Sequence, residues 1–383
     1  MARRGRLADS RLGDALASPI LVRDTARPWR AARFVDRELD AFRAGRRTAH
    51  HGVIRTTLDA ELQAHTEAVL GRAIEVFEDR GVHNAAAIVL GPEGEVRAYV
   101  AAARSGSHAP GGQLDLLRAR RQPGSTLKPF VYQLLFEPGD GPATVLDDVR
   151  LPMTSMGGAL FEAENFDGVE RGPVRAREAL ASSLNLAALD AARRVGVTPI
   201  LARLRDLGLS GVRDARTHGA AVVLGGIDVT AVELAHAYRE LALRASAEAG
   251  TAGTPDTRSV AAALTAHVLR DGTTRRAAFG DDLEAQAGGA FGLKTGTRSG
   301  FRDAWAATFA AGHTVVVWFG DPEGRPMAAV SGFEIAAPAA ARILAVARRT
   351  TGVPRTAEDP AELRMPSGEE APVSLTRAAV CPL

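Results

Sequence analysis

Four residues, Ser125-Thr126-Leu127-Lys128, set a hydroxyl and an amine one helical turn apart. Pro123 and Gly124 precede them, which puts the serine at or near a helix N-terminus. There the free backbone N–H groups and the helix dipole favour developing negative charge. A serine hydroxyl is a weak nucleophile until a neighbouring base removes its proton. Lys128 suits that task if burial or a nearby cation lowers its pKa from about 10.4. An arginine does not, because a guanidinium keeps its proton. The composition sharpens the point. Of the 47 Lys+Arg residues only two are lysines, Lys128 and Lys294.

Lys294 opens a second stretch, Lys294-Thr295-Gly296-Thr297, which follows the apolar run 290–293. A strand ending this way presents a cation and hydroxyls beside a glycine, whose missing side chain lets another chain come close. An extended peptide could pair with that edge, its carboxylate near Lys294 and the threonines. A third stretch, Ser182-Ser183-Leu184-Asn185, lies between two helical segments and holds one of the chain's three asparagines. Each stretch alone also fits a plain structural reading: a capped helix start, a turn with an ordinary lysine, a capping serine. Both lysines fall inside such stretches with Ser183 and Asn185 between them, and that coincidence favours one joint chemical site.

The bulk of the chain fits a packed globular protein. Its 383 residues are 46% hydrophobic and 24% charged, enough for one large domain or two ordinary ones. A net charge of +2 argues against a dedicated nucleic-acid binder. A single cysteine, Cys381, excludes an intrachain disulfide. Apolar runs such as 85–90 and 314–320 are strand-length, far short of a membrane span, and the basic N-terminus has no apolar core after it.

The elements that must position the three stretches are legible in outline. Residues 56–79 predict a helix with Asp59 at its N-cap and Leu62, Val69 and Val76 on one face. Residues 84–103 predict a hairpin about a Gly-Pro-Glu-Gly turn, and the helix begun at Ser125 runs on to about Glu137. The middle, about 138–290, predicts mostly helices, with 229–245 among the clearest. Strands return at 290–297 and in a second hairpin about Ala311-Gly312, and 336–349 predicts a closing helix with Pro338 in its first turn. The fold class expected is α/β of the α+β type: one antiparallel sheet, built from both ends of the sequence, packed by helices, with a helical insert. Residues 1–50 predict a connector, 51–350 the domain and 351–383 a linker.

With its motifs in the order Ser-x-x-Lys, Ser-x-Asn, Lys-Thr-Gly, the chain resembles the penicillin-binding proteins. "RRQPGSTLKPFVYQLLF", "ENFDGVERGPVRAREALASSLNLAAL", "VVLGGIDVTAVELAHAY" and "GLKTGTRSGFRDAWAATF" resemble segments of the class A members, and the wording is similar to the 1C branch over roughly residues 51–350. The resemblance implies a serine β-lactamase/D,D-transpeptidase-like fold. It implies that Ser125 is acylated by the D-Ala-D-Ala end of a peptidoglycan stem peptide and is likewise the target of β-lactams. Lys128 would then be the general base, Ser183 and Asn185 would relay protons and hold the peptide, and Lys294 would support Ser183. Thr295, Gly296 and Thr297 would bind substrate, with the backbone N–H groups of Ser125 and Thr297 as oxyanion hole. No metal or cofactor is implied, and partners would be stem peptides, β-lactams and cell-wall synthesis proteins. The implied location is the extracytoplasmic face of the cytoplasmic membrane. The sequence departs from the class A pattern in showing neither membrane anchor nor glycosyltransferase domain, so residues 1–50 read as the end of that region. Water in place of an amine would make a D,D-carboxypeptidase or β-lactamase. A penicillin-binding sensor, a scaffold or an inactive truncated relic is the reading from another class.

Overall fold

The computed structural model describes residues 31–150, 152–154, 160–213, 218–247, 256–272, 283–350 and 362–364. Residues 1–30, Cys381 and most of the 351–383 segment lie outside the described residues. The first part of the chain forms helix α1 (Ala32–Arg43), strand β1 (Val53–Arg55), helix α2 (Ala60–Phe77) and the hairpin β2 (Asn84–Leu90) and β3 (Val96–Val100). A 3-10 turn, Gly124–Leu127, leads into helix α3 (Lys128–Phe136). The middle carries β4 (Val145–Asp148), β5 (Pro152–Thr154), β6 (Leu160–Glu162) and β7 (Gly172–Arg175). It then carries helices α4 (Ala176–Ala181), α5 (Asn185–Val195), α6 (Val197–Asp206), α7 (Ala231–Ala247) and α8 (Thr257–Arg270). After a short helix α9 (Leu283–Gln286) come β8 (Gly292–Thr297), β9 (Asp303–Ala310), β10 (His313–Gly320) and helix α10 (Ala337–Thr350).

One antiparallel sheet organises the molecule, in the order β3-β2-β10-β9-β8. The first hairpin and the last three strands meet where β2 pairs with β10, from Leu90 opposite Thr314 to Asn84 opposite Gly320. Every residue of β2, β9 and β10 is buried. Successive side chains alternate between two cores. Ile88, Trp305, Phe309, Val316 and Trp318 face the helices of the insert, with Tyr132 and Tyr238. Val89, Ala306, Val317 and Phe319 face α2 and α10, with Leu70, Ile343 and Leu344. A sheet covered on both faces by helices reads as unbroken apolar runs, which is why 85–90 and 314–320 show no polar alternation. The hairpin between β9 and β10 closes through Ala311 and Gly312, both with positive φ (49° and 79°), as the twist of a two-residue hairpin requires.

Local chemistry sets the helix limits. Asp59 caps α2 by accepting from the Leu62 N–H at 3.0 Å. The face of α2 differs from the heptad reading: Leu62, Val69, Leu70 and Ile74 are buried, but Val76 is 74% exposed. A straight helix turns every 3.6 residues, so a seven-residue spacing drifts off the buried stripe after two heptads. The middle is also less purely helical than the sequence predicts. β4 pairs with β7 and β5 with β6 in two small antiparallel sheets. Strands of three or four residues are too short to leave a periodic signature. Within 351–383, read as a linker, Glu362–Arg364 forms a strand β11 paired with β1.

Candidate active site

Four pieces of backbone meet at a cleft of about 500 Å³: the 3-10 turn with Ser125, the junction between α4 and α5, strand β8, and the loop 163–171. Ser125, Ser183, Asn185, Thr295 and Thr297 line it, as do Asn165 and Phe166.

The turn that carries Ser125 is pinned from behind. Trp305 Nε1 donates to Gln122 O (3.0 Å) and Tyr238 Oη donates to Thr126 O (2.7 Å). Arg121 pairs with the buried Asp303 at 3.2 Å, its guanidinium stacked 4.2 Å from the Trp318 ring. In front, the turn lies directly on β8. A Cβ at Gly296 would stand 2.1 Å from Pro123 O, and one at Gly124, where φ is +56°, would stand 2.7 Å from Thr297 O. The missing side chain of Gly296 makes room for this chain's own Pro123 carbonyl, so the glycine seats the serine turn on the strand. Strand β8 remains an edge strand of the sheet.

Ser183 sits at the end of α4, and its backbone is unusual. The Leu184 N–H donates to Ala179 O (2.9 Å) and the Ser183 N–H to Leu180 O (3.2 Å), the paired bonds of a Schellman motif. The residue at the left-handed position of that motif is ordinarily glycine, yet here it is Ser183, at φ 60°. That conformation turns its carbonyl one way and its hydroxyl the other. Lys128 Nζ donates to Ser183 O (2.6 Å), to Leu184 O (3.0 Å) and to Asn185 Oδ1 (2.7 Å). Lys294 Nζ donates to Ser183 Oγ (2.7 Å) and to Thr295 O (3.0 Å). Both lysines are buried, Lys128 completely. The three bonds of Lys128 go to residues 183–185 and none goes to Ser125. Thr297 Oγ1 accepts from the Gly332 N–H at 2.9 Å, which leaves its own O–H free to turn to the cleft.

Burial governs both amines. It pushes Lys128 well below its ordinary pKa, helped by the charge on Lys294 and opposed by that on Asp148. It lowers Lys294 to about 7. A prediction follows for stability. Between pH 7 and 10 the unfolded chain holds a proton on this lysine that the folded chain has given up, so the unfolding free energy should rise with pH across that window. Urea melts at pH 7, 8 and 9 should show the rise, and Lys294→Met should lessen it, leaving the part that Lys128 contributes in the same direction. An equal slope in both proteins would refute a lowered Lys294.

Two residues that sequence reasoning did not select complete the arrangement. Asn165 Oδ1 accepts from the N–H groups of Asn185 (2.7 Å) and Leu186 (3.3 Å), and its Nδ2 donates to Asp148 Oδ2 (2.7 Å). Asp148 is fully buried at the end of β4 and accepts from the N–H of Ala187 (3.2 Å) with its other oxygen. Asn185 Nδ2 donates to Glu164 O (2.7 Å), which fixes its amide with the oxygen toward Lys128. Being one of only three asparagines was the signal available for Asn165; Asp148 carried none beyond its carboxylate. Among the described residues no cluster of His, Cys, Asp or Glu is placed to hold a metal.

This fold is similar to that of penicillin-binding-protein transpeptidase domains. The structure of the penicillin-binding protein PonA1 from Mycobacterium tuberculosis aligns with a TM-score of 0.63 and 19% identity, over 91% of this chain and 98% of that one. Penicillin-binding protein 1A from Haemophilus influenzae aligns at 0.64 and 16% identity, over 92% of this chain and 75% of that one. In sequence, the chain is 30% identical to penicillin-binding protein 1C of Escherichia coli (strain K12) over 339 residues, 86% of this chain and 41% of that protein. It is 28% identical to penicillin-binding protein 1B of Vibrio cholerae, over 71% of this chain and 37% of that protein. The chain is a homologue of the class A penicillin-binding proteins. It spans about two fifths of the length of these curated relatives. No family model matches the sequence. Among the described residues no helix is long and apolar enough to cross a membrane.

Proposed function

We propose that the chain is a serine-type D,D-transpeptidase domain that cross-links peptidoglycan and is acylated by penicillin at Ser125. The observation that carries this reading is the convergence of the chain's only two lysines on Ser183, one on its carbonyl and one on its hydroxyl, beside Ser125 in one cleft. A solved structure of the similar PonA1 is a complex with penicillin V, at a TM-score of 0.62 and 20% identity, which supports β-lactam binding by this fold.

In this mechanism Lys128 acts as its neutral amine. Protonated, it gives all three hydrogens to residues 183–185; neutral, it keeps two and offers a lone pair to the Ser125 proton. Ser125 Oγ then bonds to the penultimate D-Ala carbonyl carbon, and the C–N bond to the terminal D-Ala breaks. The proton passes through Lys128 and the Ser183 hydroxyl to the departing amine. Lys294 holds Ser183 Oγ in line for that relay, and Asn185 orients the peptide. Thr295 and Thr297 take the substrate carboxylate. The Ser125 and Thr297 N–H groups stabilise the oxyanion, a contribution of about 3 kcal/mol per donor in such sites. An amine from a second stem peptide then attacks the ester, forms the cross-link and returns the proton to Ser125. Residues 51–350 would form this domain, acting outside the cytoplasmic membrane with other cell-wall synthesis proteins.

The test uses fluorescent penicillin and a D-Ala-D-Ala stem peptide. Wild type should take a covalent label that persists for minutes, Ser125→Ala should take none, and with an acceptor amine the peptide should yield D-Ala and a cross-linked product. An unlabelled wild type would sink the acyl-serine reading. Label lost within seconds would replace it by β-lactamase chemistry, and D-Ala release without cross-linking by carboxypeptidase chemistry.

A further inference from the structure

We propose that Asp148 and Asn165 are positioning residues that hold the Ser183–Asn185 turn, and through it the Lys128 amine, in register with Ser125. The inference rests on the acyl-serine reading for its consequence in rate, and on geometry and local charge for its consequence at Lys128.

Helix α5 begins at Asn185, and the residue before it, Leu184, has no side chain able to cap it. The first three N–H groups of the helix are satisfied from elsewhere: those of Asn185 and Leu186 by Asn165, and that of Ala187 by Asp148. The cap is thus supplied by residues from a different strand and loop. Asp148 holds Asn165 in turn, and also accepts from the Arg171 N–H at 3.2 Å, so its carboxylate ties β4, the 163–171 loop and α5 together. Asn185 cannot shift without breaking this cap, and Lys128 Nζ is bonded to Asn185 Oδ1 and to the two carbonyls before it. The position of the amine is therefore set from the Asp148 side of the cleft.

Asp148 also supplies charge. The charged groups facing Lys128 are Lys294 from β8 and Asp148 from β4. Arg171 lies 3.9 Å from Asp148. On the helices packed against α3, Asp190 pairs with Arg193 and Arg194, Arg203 with Glu137, Arg177 with Asp271 and Glu178 with Arg175, while Arg270 lies over the Phe309 ring. Asp148 is the one carboxylate of this set that acts to keep a proton on Lys128 against burial and Lys294, so neutralising it should move the amine to a lower titration point.

Because the chain has two lysines, protein carrying 13C at the lysine ε-carbon gives two signals to assign, and Lys128 is the one lost in Lys128→Arg. In Asp148→Asn, which keeps the size of the side chain, the Lys128 signal should titrate at lower pH than in wild type, and the acidic limb of penicillin acylation should move the same way. In Asn165→Ala, which removes the cap but leaves the carboxylate, the Lys128 signal should shift in position and acylation should slow by about a hundredfold. Asn165→Ala decides the question if Asp148→Asn does not fold. A Lys128 signal that stays at its wild-type position and titration in the folded variants overturns the inference, even if the melting temperature falls. If wild type takes no penicillin, the acyl-serine reading fails on its own, while the lysine titrations still decide whether Asp148 and Asn165 position the amine.

Discussion

Replacing Lys128 by arginine should abolish acylation of Ser125, with a loss on the order of a thousandfold or more in rate. Charge is kept in this variant, so a lysine acting only as a cation would tolerate it. A base would not, because a guanidinium does not give up its proton at any working pH. The structure adds a second reason. Lys128 is fully buried with three acceptors arranged around one nitrogen, and a planar fork cannot reproduce that set. Lys128→Met removes the base without crowding the site, since it fits the volume and has no proton to exchange. Both variants should melt cooperatively and both should fail to take up fluorescent penicillin over an hour. Full labelling of either would remove Lys128 from the mechanism.

Gly296→Ala should be nearly as damaging, by a route that involves no titratable group. The added methyl would meet the Pro123 carbonyl at 2.1 Å and Thr126 Cγ2 at 2.8 Å. One of these is backbone in the turn that carries Ser125, so relief requires the turn to move off the strand. Overpacking of this kind costs about 1–3 kcal/mol. A displacement of roughly an ångström at the nucleophile costs on the order of a hundredfold in rate. Melting temperature and acylation rate should therefore fall together. By contrast, Gly141→Ala, where the added methyl meets nothing within 4 Å and φ is not positive, serves as the control for a glycine away from the strand. Wild-type acylation in Gly296→Ala would mean that the serine turn does not depend on its seat against β8.

The sheet and both its hairpins were legible in the sequence because each apolar run is the length of a strand and glycine marks the turn of each hairpin. Lys128 and Lys294 were legible because the chain almost never uses lysine. The seat of the serine turn was not. Glycine at 296 announces a close approach, but the approaching group, Pro123, is remote in sequence, and nothing local says whether it is substrate or self. Ser183 looked like a helix cap and proved to occupy a left-handed position at a helix end, a conformation ordinarily advertised by glycine. Asn165 and Asp148 cap α5 from 20 and 39 residues away, beyond any pattern that a local window can hold. The drift of Val76 off the buried face of α2 is a plainer lesson: seven-residue spacing identifies a coiled-coil seam better than the face of a straight helix.

The burial of both lysines has a practical consequence at the protein surface. Every exposed basic side chain among the described residues is arginine or histidine, so no ε-amine there meets solvent. Reagents that acylate amines should leave the folded body unmarked, and glutaraldehyde or succinimidyl ester cross-linking should find no lysine to join. Modification of Lys128 and Lys294 would then report the opening of the cleft or the unfolding of the chain. Once the terminal α-amine is set aside, an amine-reactive dye becomes a probe of structural integrity in this protein, where in most proteins it is a surface stain.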